Sequence, residues 1–294
     1  MKIAVLGTGL MGAPMAKNLC HAGFNVTAWN RSYEKLVPLA DHGLHVAKEP
    51  QDAIAKADVI ISMFTDGAAT AALQSRKEVR RALKPRSIWI EMASVKPKEA
   101  RMQAADLMAL DVFHLDAPVS GGTKGAQEAR LAIMVGGDAN VFEQVKGLFE
   151  ALGRAVLVGP SGSGQLAKLA NQAVVGISIG AVAEAILLLE RGGADPLAVC
   201  DALRGGFADS TILQQHGKRM LERSFAPGGP SHIQLKDMEN INEEAASLNI
   251  TLPFAEQTQE RYERLVGELN GGELDHSALF LELLEKNIAA GETS

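Results

Sequence analysis

The chain has 294 residues, 47% of them hydrophobic and 22% charged, enough for two domains of ordinary size with real cores. Its formal net charge of −6 argues against a general nucleic-acid binder. Cys20 and Cys200 are the only cysteines and lie far apart, which excludes a disulfide framework or a zinc motif and points to a reducing cytoplasm. The apolar opening Met1–Leu6 is interrupted at once by glycines and does not read as a targeting peptide, and no stretch reads as long enough to cross a bilayer.

The first predicted element is the strand Ile3–Leu6, followed by Gly7-Thr8-Gly9-Leu10-Met11-Gly12 and a helix-compatible segment. Strand, glycine turn and helix in this order bind a dinucleotide pyrophosphate. The first glycine permits the tight turn, the second lets backbone approach phosphate, and the third lets helix pack on strand. Free N–H groups of Gly9, Leu10, Met11 and Gly12 at the helix start favour negative charge. A second strand, Asn25–Trp29, ends in Asn30-Arg31-Ser32, where a site built for NAD usually carries a carboxylate for the ribose 2′-hydroxyl. Arg31 offers a planar cation for a 2′-phosphate and Ser32 a hydroxyl, so NADP(H) is the preferred cofactor, with NAD(H) still possible. A solvated Arg31 is the plain alternative.

Further strands are predicted at Val59–Met63, Ser87–Glu91, Phe113–Asp116, Leu131–Val135 and Ala155–Val158, with helices at Gln51–Lys56 and Lys96–Leu110. This alternation predicts a mostly parallel sheet with helices on both faces. The basic run Arg76–Arg81 reads as a solvated helix face, because no aromatic residues interleave it. After Asp116 the segment Ala117-Pro118-Val119-Ser120-Gly121-Gly122-Thr123 falls at the carboxyl edge of the sheet, where open α/β folds bind ligands. Its glycine N–H groups and hydroxyls make a concave set of donors suited to a carboxylate, although a Gly-Gly turn without a ligand has the same composition.

The pattern changes at the turn cluster Gly159–Gly164. This suggests an NADP-binding Rossmann-type α/β domain over residues 1–161 and an all-α domain over 162–294 for substrate and oligomerisation, joined by a long interdomain helix, Gln165–Arg191. That helix is too apolar to stand in water, so it is expected to be buried between domains or subunits of a homodimer or homotetramer. Asp195-Pro196 supplies an N-cap and a first-turn proline, and helices follow at Leu197–Leu203, Thr211–Arg223, Leu235–Leu248, Pro253–Leu269 and His276–Ala289.

In the long helix Gly164, Lys168, Asn171 and Gln172 share one face, with a small gap at Gly164, an ammonium and two amides. Desolvation there would bring Lys168 toward a useful acid–base range. Spacing alone describes a lysine snorkelling from a helix end equally well. Lys236-Asp237 by itself passes for a surface ion pair. None of the seven histidines has metal-ligand spacing, and they read as structural or solvated; Cys20 reads as a packed thiol. No metal site is expected.

Together the stretches Gly7–Leu19, Asp116–Gly125, Gly162–Gln172, Gly205-Gly206-Phe207-Ala208, Lys236-Asp237 and Asp275-His276-Ser277 resemble the β-hydroxyacid dehydrogenase family, over nearly the whole chain. That family includes 3-hydroxyisobutyrate dehydrogenases and tartronate semialdehyde reductases. The resemblance implies that Lys168 is the general acid–base residue, that Ser120, Gly121 and Gly122 hold the substrate carboxylate with help from Asn171 and Gln172, and that Lys236 lies beside the nicotinamide. It also implies cofactor contacts at Met63, Phe64 and Ser94. Lys168-Leu169-Ala170-Asn171-Gln172, the Gly-Gly-Phe-Ala segment and Asp-His-Ser are most similar to the tartronate semialdehyde reductases. The expected reaction is then NADPH-dependent reduction of 2-hydroxy-3-oxopropanoate to glycerate. A 3-hydroxyisobutyrate-type or succinic semialdehyde-type enzyme is the alternative, and a non-catalytic NADPH-binding interaction module is the reading of another class. Two departures stand out: Ala71–Leu83 lacks the glycine-containing turn usual there, and Ala93 replaces a common hydroxyl residue beside Ser94.

Overall fold

The computed structural model describes residues 1–291, which separate into two compact units, Met1–Lys168 and the described residues from Leu169 onward. The division falls inside one long helix, later than the glycine-rich turn at which the composition changes.

The first unit runs β1 (Lys2–Leu6), α1 (Gly12–His21), β2 (Asn25–Trp29), α2 (Val37–Ala40), β3 (His45–Val46), α3 (Pro50–Ile54), β4 (Val59–Ser62), α4 (Gly67–Gln74), α5 (Lys77–Ala82), β5 (Ile88–Glu91) and α6 (Pro97–Met108). It continues with β6 (Phe113–Asp116), β7 (Val119–Ser120), α7 (Gly122–Gln127), β8 (Leu131–Gly137), α8 (Ala139–Glu150), β9 (Gly153–Gly159) and the start of α9 (Ser163–Arg191). The strands form one nine-stranded sheet in the order β3-β2-β1-β4-β5-β6-β8-β7, with β9 also pairing with β8. Neighbours are parallel from β3 through to β6 and between β8 and β9, whereas β8 is antiparallel to β6 and β7.

Alternation along the strands sorts the side chains into two buried layers. Ile3, Val5, Val59, Ile61, Ile88 and Ile90 pack with Met15 and Leu19 of α1 and with Phe142, Val145 and Phe149 of α8. Ala4, Leu6, Ile60 and Trp89 point the other way, toward Ile54, Leu73, Val79 and Leu107 of α3 to α6. A sheet buried on both faces needs such near-continuous apolar strands, and these are the runs that the sequence displays. The fold class is therefore the expected Rossmann-like, mostly parallel sheet followed by a helical region.

The second unit holds the rest of α9, then α10 (Pro196–Ala202), a π-helical turn (Leu213–Gly217), α11 (Lys218–Leu221), α12 (Ser231–Ser247), α13 (Pro253–Gly267), a 3₁₀ turn (His276–Ala278) and α14 (Leu279–Gly291). Among its described residues no strand forms; Pro230 and Asp275 make an isolated bridge. Asp195 caps α10 by accepting from the backbone N–H groups of Leu197 and Ala198. Its core joins Ile179, Ala183 and Ile186 of α9 to Met238 and Ile241 of α12, Tyr262 and Leu265 of α13, and Phe280 of α14. Glu282, fully buried, receives Arg261 Nε at 2.9 Å and Arg264 Nη1 at 2.7 Å.

Several local expectations are corrected. The two-residue strands β3 and β7 are too short for any periodicity to reveal. The helix expected over 211–223 contains a π-helical turn, and the one expected from His276 opens as a 3₁₀ turn before α14. A stretch long enough to cross a bilayer does exist: α9 has 29 residues and an 18-residue window of mean hydropathy 2.0. Its scattered Asn171, Gln172, Ser178 and glycines hide that length when apolar runs are counted. Leu169, Ile179, Ala183, Ile186 and Leu187 of this helix pack into the second unit's core, yet only 39% of the apolar window is buried within the chain. The expectation of a buried helix is thus met in part.

Candidate active site

The carboxyl ends of β1, β2, β4, β5 and β6 are stitched together by backbone hydrogen bonds running one residue past each strand. Gly7 N donates to Trp29 O, Met63 N to Leu6 O, Met92 N to Ser62 O and Ala117 N to Glu91 O, at 2.7–2.9 Å. This lines up the turns after those strands along one sheet edge. The order reverses around β1, which has β2 on one side and β4 on the other, and open α/β sheets bind ligands at such a switch point.

The glycine turn fits a dinucleotide. Gly7 has a φ of +94°, and a Cβ there would stand 2.4 Å from Met63 O. A Cβ on Gly12 would reach within 2 Å of Gly7 O, so α1 can approach the turn only as it does. A Cβ at Gly9 would meet nothing within 4 Å, which leaves this backbone open to a phosphate. Met11, the N-cap of α1, makes no side-chain cap, so the helix start keeps N–H groups for an anion. Leu10 is exposed at the tip.

Asn30 is used inside the protein: its Oδ1 accepts Thr8 N at 3.2 Å and its Nδ2 donates to Ser32 O at 3.1 Å. It shapes the turn, while Arg31 beside it is exposed and Ser32 partly buried. Met63 and Phe64 follow β4, and Ser94 follows β5. Behind Ser94, the carboxyl of Glu91 is fully buried; burial pushes its pKa up to about 7, against the help of Ala93 N, which donates to Oε1 at 3.0 Å.

Ser120 closes β7 in register with Ala132 of β8, and Gly121 and Gly122 follow with φ of +133° and +62°. These left-handed conformations are ones that glycine adopts without strain. A Cβ at Gly122 would meet nothing within 4 Å. The helix this loop opens, α7, is held to α1 by Asn18 Nδ2, which donates to Ala126 O at 2.7 Å.

Asp116 was expected in this substrate loop, but its carboxylate instead anchors the start of α9, receiving Gly162 N at 2.7 Å and Gln165 N at 2.9 Å. Gly164 is likewise no gap for a ligand: a Cβ there would lie 2.4 Å from both Asp116 O and Met134 O, so the glycine lets the helix press against the sheet. Gln165, 1% exposed, takes Val95 N on its Oε1 at 3.0 Å and gives its Nε2 to Ala93 O at 2.8 Å. Sequence reasoning missed this residue, because an amide in an apolar helix shows its partners only in three dimensions. Lys168 follows one turn later and is partly buried.

In the second unit Asn171 Nδ2 donates to Gln172 Oε1 at 2.9 Å, and Gln172 Nε2 donates to Asp237 Oδ2 at 2.6 Å. Asp237 is 6% exposed and Lys236 partly buried, so Lys236-Asp237 is not a surface ion pair. Gln172 braces Asn171 against α12.

His216, Asp275 and His276 come within 4.8 Å of one another, a cluster that spacing along the chain conceals. Asp275 Oδ2 accepts Gly228 N at 2.9 Å and Gly229 N at 3.1 Å, and Oδ1 accepts Ser277 N at 3.1 Å and Ser277 Oγ at 2.5 Å. Arg219 Nη1 stands 3.4 Å away. Burial opposes ionisation of Asp275, yet His216, Ser277 and these backbone donors hold its carboxyl well below the usual range. Burial lowers His276 to about 4. With its lone pairs taken by donors and a guanidinium at hand, Asp275 is a strut for the loop before α12.

Residues 2–159 match the family described as the NAD binding domain of 6-phosphogluconate dehydrogenase, and residues 162–283 match the one described as NAD-binding of NADP-dependent 3-hydroxyisobutyrate dehydrogenase. This chain belongs to the 3-hydroxyisobutyrate dehydrogenase family. Among its relatives, 2-hydroxy-3-oxopropionate reductase of Escherichia coli is 40% identical over 97% of this chain and 98% of its own. A probable 3-hydroxyisobutyrate dehydrogenase of Mycobacterium bovis is 30% identical over 94% of this chain and 96% of its own. The solved structure of Mycobacterium tuberculosis 3-hydroxyisobutyrate dehydrogenase with L-serine superposes with a TM-score of 0.88 at 29% identity, covering 96% of this chain and 98% of that one. As a member of the 3-hydroxyisobutyrate dehydrogenase family, the protein is an NAD(P)-dependent oxidoreductase acting on a hydroxyl-bearing carbon. That sets aside the non-catalytic binding module.

Proposed function

We propose that the enzyme uses NADPH to reduce a short semialdehyde acid, 2-hydroxy-3-oxopropanoate to glycerate. The chemistry rests chiefly on one observation: Lys168 follows, by one turn, a helix start anchored to the carboxyl end of the sheet through Asp116 and Gln165. The choice of substrate rests on the 40% identical reductase from Escherichia coli.

On this reading Gly7, Gly9, Leu10, Met11 and Gly12 receive the pyrophosphate, and Arg31 and Ser32 the 2′-phosphate, with Asn30 shaping their loop. Met63, Phe64, Ser94 and Lys236 line the rest of the cofactor. The nicotinamide, when bound, supplies the hydride. The Ser120 hydroxyl and the Gly121 and Gly122 N–H groups bind the substrate carboxylate, and Asn171, braced by Gln172, orients it. Lys168 donates a proton from Nζ to the carbonyl oxygen as the carbonyl carbon takes the hydride, and solvent reprotonates the amine. Proton donation by a placed cation stabilises the developing alkoxide by charge as well.

The active protein is a cytoplasmic homodimer or homotetramer. Val174 and Leu188 of α9 are 65% and 73% exposed in the single chain and Phe207 is fully exposed, a surface suited to a second copy. Sedimentation velocity tests this; a monomer at micromolar concentration refutes it.

The deciding experiment follows NADPH and NADH oxidation with tartronate semialdehyde, succinic semialdehyde and glyoxylate, for the wild type and Lys168→Ala. Fastest turnover with NADPH and tartronate semialdehyde is expected, and a loss of about 10²–10⁴-fold in kcat for Lys168→Ala with NADPH still bound. Preference for another acid discards the substrate, and unchanged turnover in Lys168→Ala discards the mechanism.

A further inference from the structure

The side chain of Gln165 reaches from the first turn of α9 to the loop that follows β5. It spans the peptide groups on either side of Ser94, accepting from Val95 N at 3.0 Å and donating to Ala93 O at 2.8 Å. The pairing imitates one rung of a sheet, with a side-chain amide standing in for a strand. The site of this contact is nearly sealed: Gln165 is 1% exposed, Ala93 1% and Val95 6%. Each bond is therefore made where water cannot replace it.

The same residue is fixed from behind. Its own N–H donates to Asp116 Oδ2, Gly162 N donates to Asp116 Oδ1, and Gly164 presses on Asp116 O and Met134 O. The Ser94 loop is fixed independently by Ala93 N on Glu91 Oε1. Gln165 thus joins the start of α9 to the end of β5, and Lys168 lies one helical turn beyond it, on the adjoining part of the same face.

We propose that Gln165 is a positioning residue, which sets the spacing between the Ser94 loop and Lys168 and thereby aligns the proton donor with the cofactor edge. The inference rests on the reading of Lys168 as the general acid. A simple packing role would be served by any apolar residue of the same length, whereas the observed contacts require an acceptor and a donor on one planar group. Glutamine supplies both, and a glutamate in its ionised form keeps only the acceptor.

The test compares Gln165→Ala, Gln165→Glu and Lys168→Ala with the wild type in steady-state kinetics, NADPH fluorescence titration and thermal melting. Misplacement of a reacting group by about 1 Å costs roughly 10²-fold, so Gln165→Ala should lose about that in kcat, with NADPH Kd and substrate KM within about threefold. Gln165→Glu should fall between, and the limb of the kcat–pH profile that Lys168→Ala abolishes should move in both Gln165 variants. A role in packing alone would lower Tm without moving that limb. Should Gln165→Ala fail to fold, the isosteric Gln165→Glu carries the comparison.

Wild-type kcat in folded Gln165 variants, with Lys168→Ala inactive, overturns the inference and leaves the general acid standing. A parallel fall of kcat and NADPH affinity also overturns it, since the residue would then only maintain the cofactor site. Full activity in Lys168→Ala removes the underlying reading and this inference with it.

Discussion

Asn30 accepts the Thr8 amide hydrogen on Oδ1 at 3.2 Å, so the residue after β2 is tied to the glycine turn after β1. Where an acidic residue would bind a ribose hydroxyl, this chain uses its side chain to hold its own backbone. On the proposed function, choice between the two nicotinamide cofactors then falls to Arg31 and Ser32.

Arg31→Ala should therefore raise the NADPH KM about tenfold or more, as expected for loss of a charged hydrogen bond worth about 1.5–3 kcal/mol, and leave the NADH KM nearly unchanged. Paired initial-rate measurements with both cofactors check this. Equal effects on both would assign Arg31 to the solvated loop.

Glu91 couples stability to pH. Its folded pKa, raised by burial to about 7, exceeds the ordinary 4.5. Between those values the folded state holds a proton that the unfolded state has released, so stability falls as pH rises through this window and levels off above it. The slope approaches about 1.4 kcal/mol per pH unit at most. Glu91→Gln should melt with a flatter pH dependence from pH 5 to 8 and gain on the wild type toward pH 8. Parallel melting curves across that range would show that Glu91 titrates normally.

The second unit has its own weak point. Glu282 is completely buried between Arg261 and Arg264, and Arg261 continues to Glu184 at 3.1 Å. Arg261 keeps Glu184, and Arg264, 33% exposed, keeps Glu268 and Glu285, so removing the carboxylate leaves two partly compensated cations and costs about 1–3 kcal/mol. Glu282→Ala should lower the urea midpoint by a corresponding amount, and equilibrium unfolding measures it. A change under 1 kcal/mol, on the order of an exposed pair, would mean that solvent reaches the arginines.

The glycine turn between β1 and α1 was legible because its signal is local: glycines at fixed spacing after an apolar strand leave few alternatives. The strands β4 and β5 were legible for the same reason, since a sheet buried on both faces requires continuous Val-Ile-Ile or Ile-Trp-Ile runs. The edge at β7 was not, because two residues pairing with β8 depend on a partner distant in sequence. Asp116, Gln165 and Asp237 look ordinary in the chain, and their roles come from partners 46 to 72 residues away. His216 and Asp275 meet only because the π-helical turn and the 3₁₀ turn converge. The face carrying Lys168, Asn171 and Gln172 was readable from helical period, whereas Gly164 was misjudged: a missing side chain signals close approach without saying of what.

The hydrogen bond from Asn18 to Ala126 O fastens α1 to α7, and each of these helices opens from a turn that the proposed function assigns to a ligand, cofactor at α1 and acid at α7. An anion drawn onto the start of α1 cannot shift that helix without carrying the other turn along. If binding at one turn displaces its helix, it would alter the affinity of the other turn, and reciprocity would require the same factor in both directions.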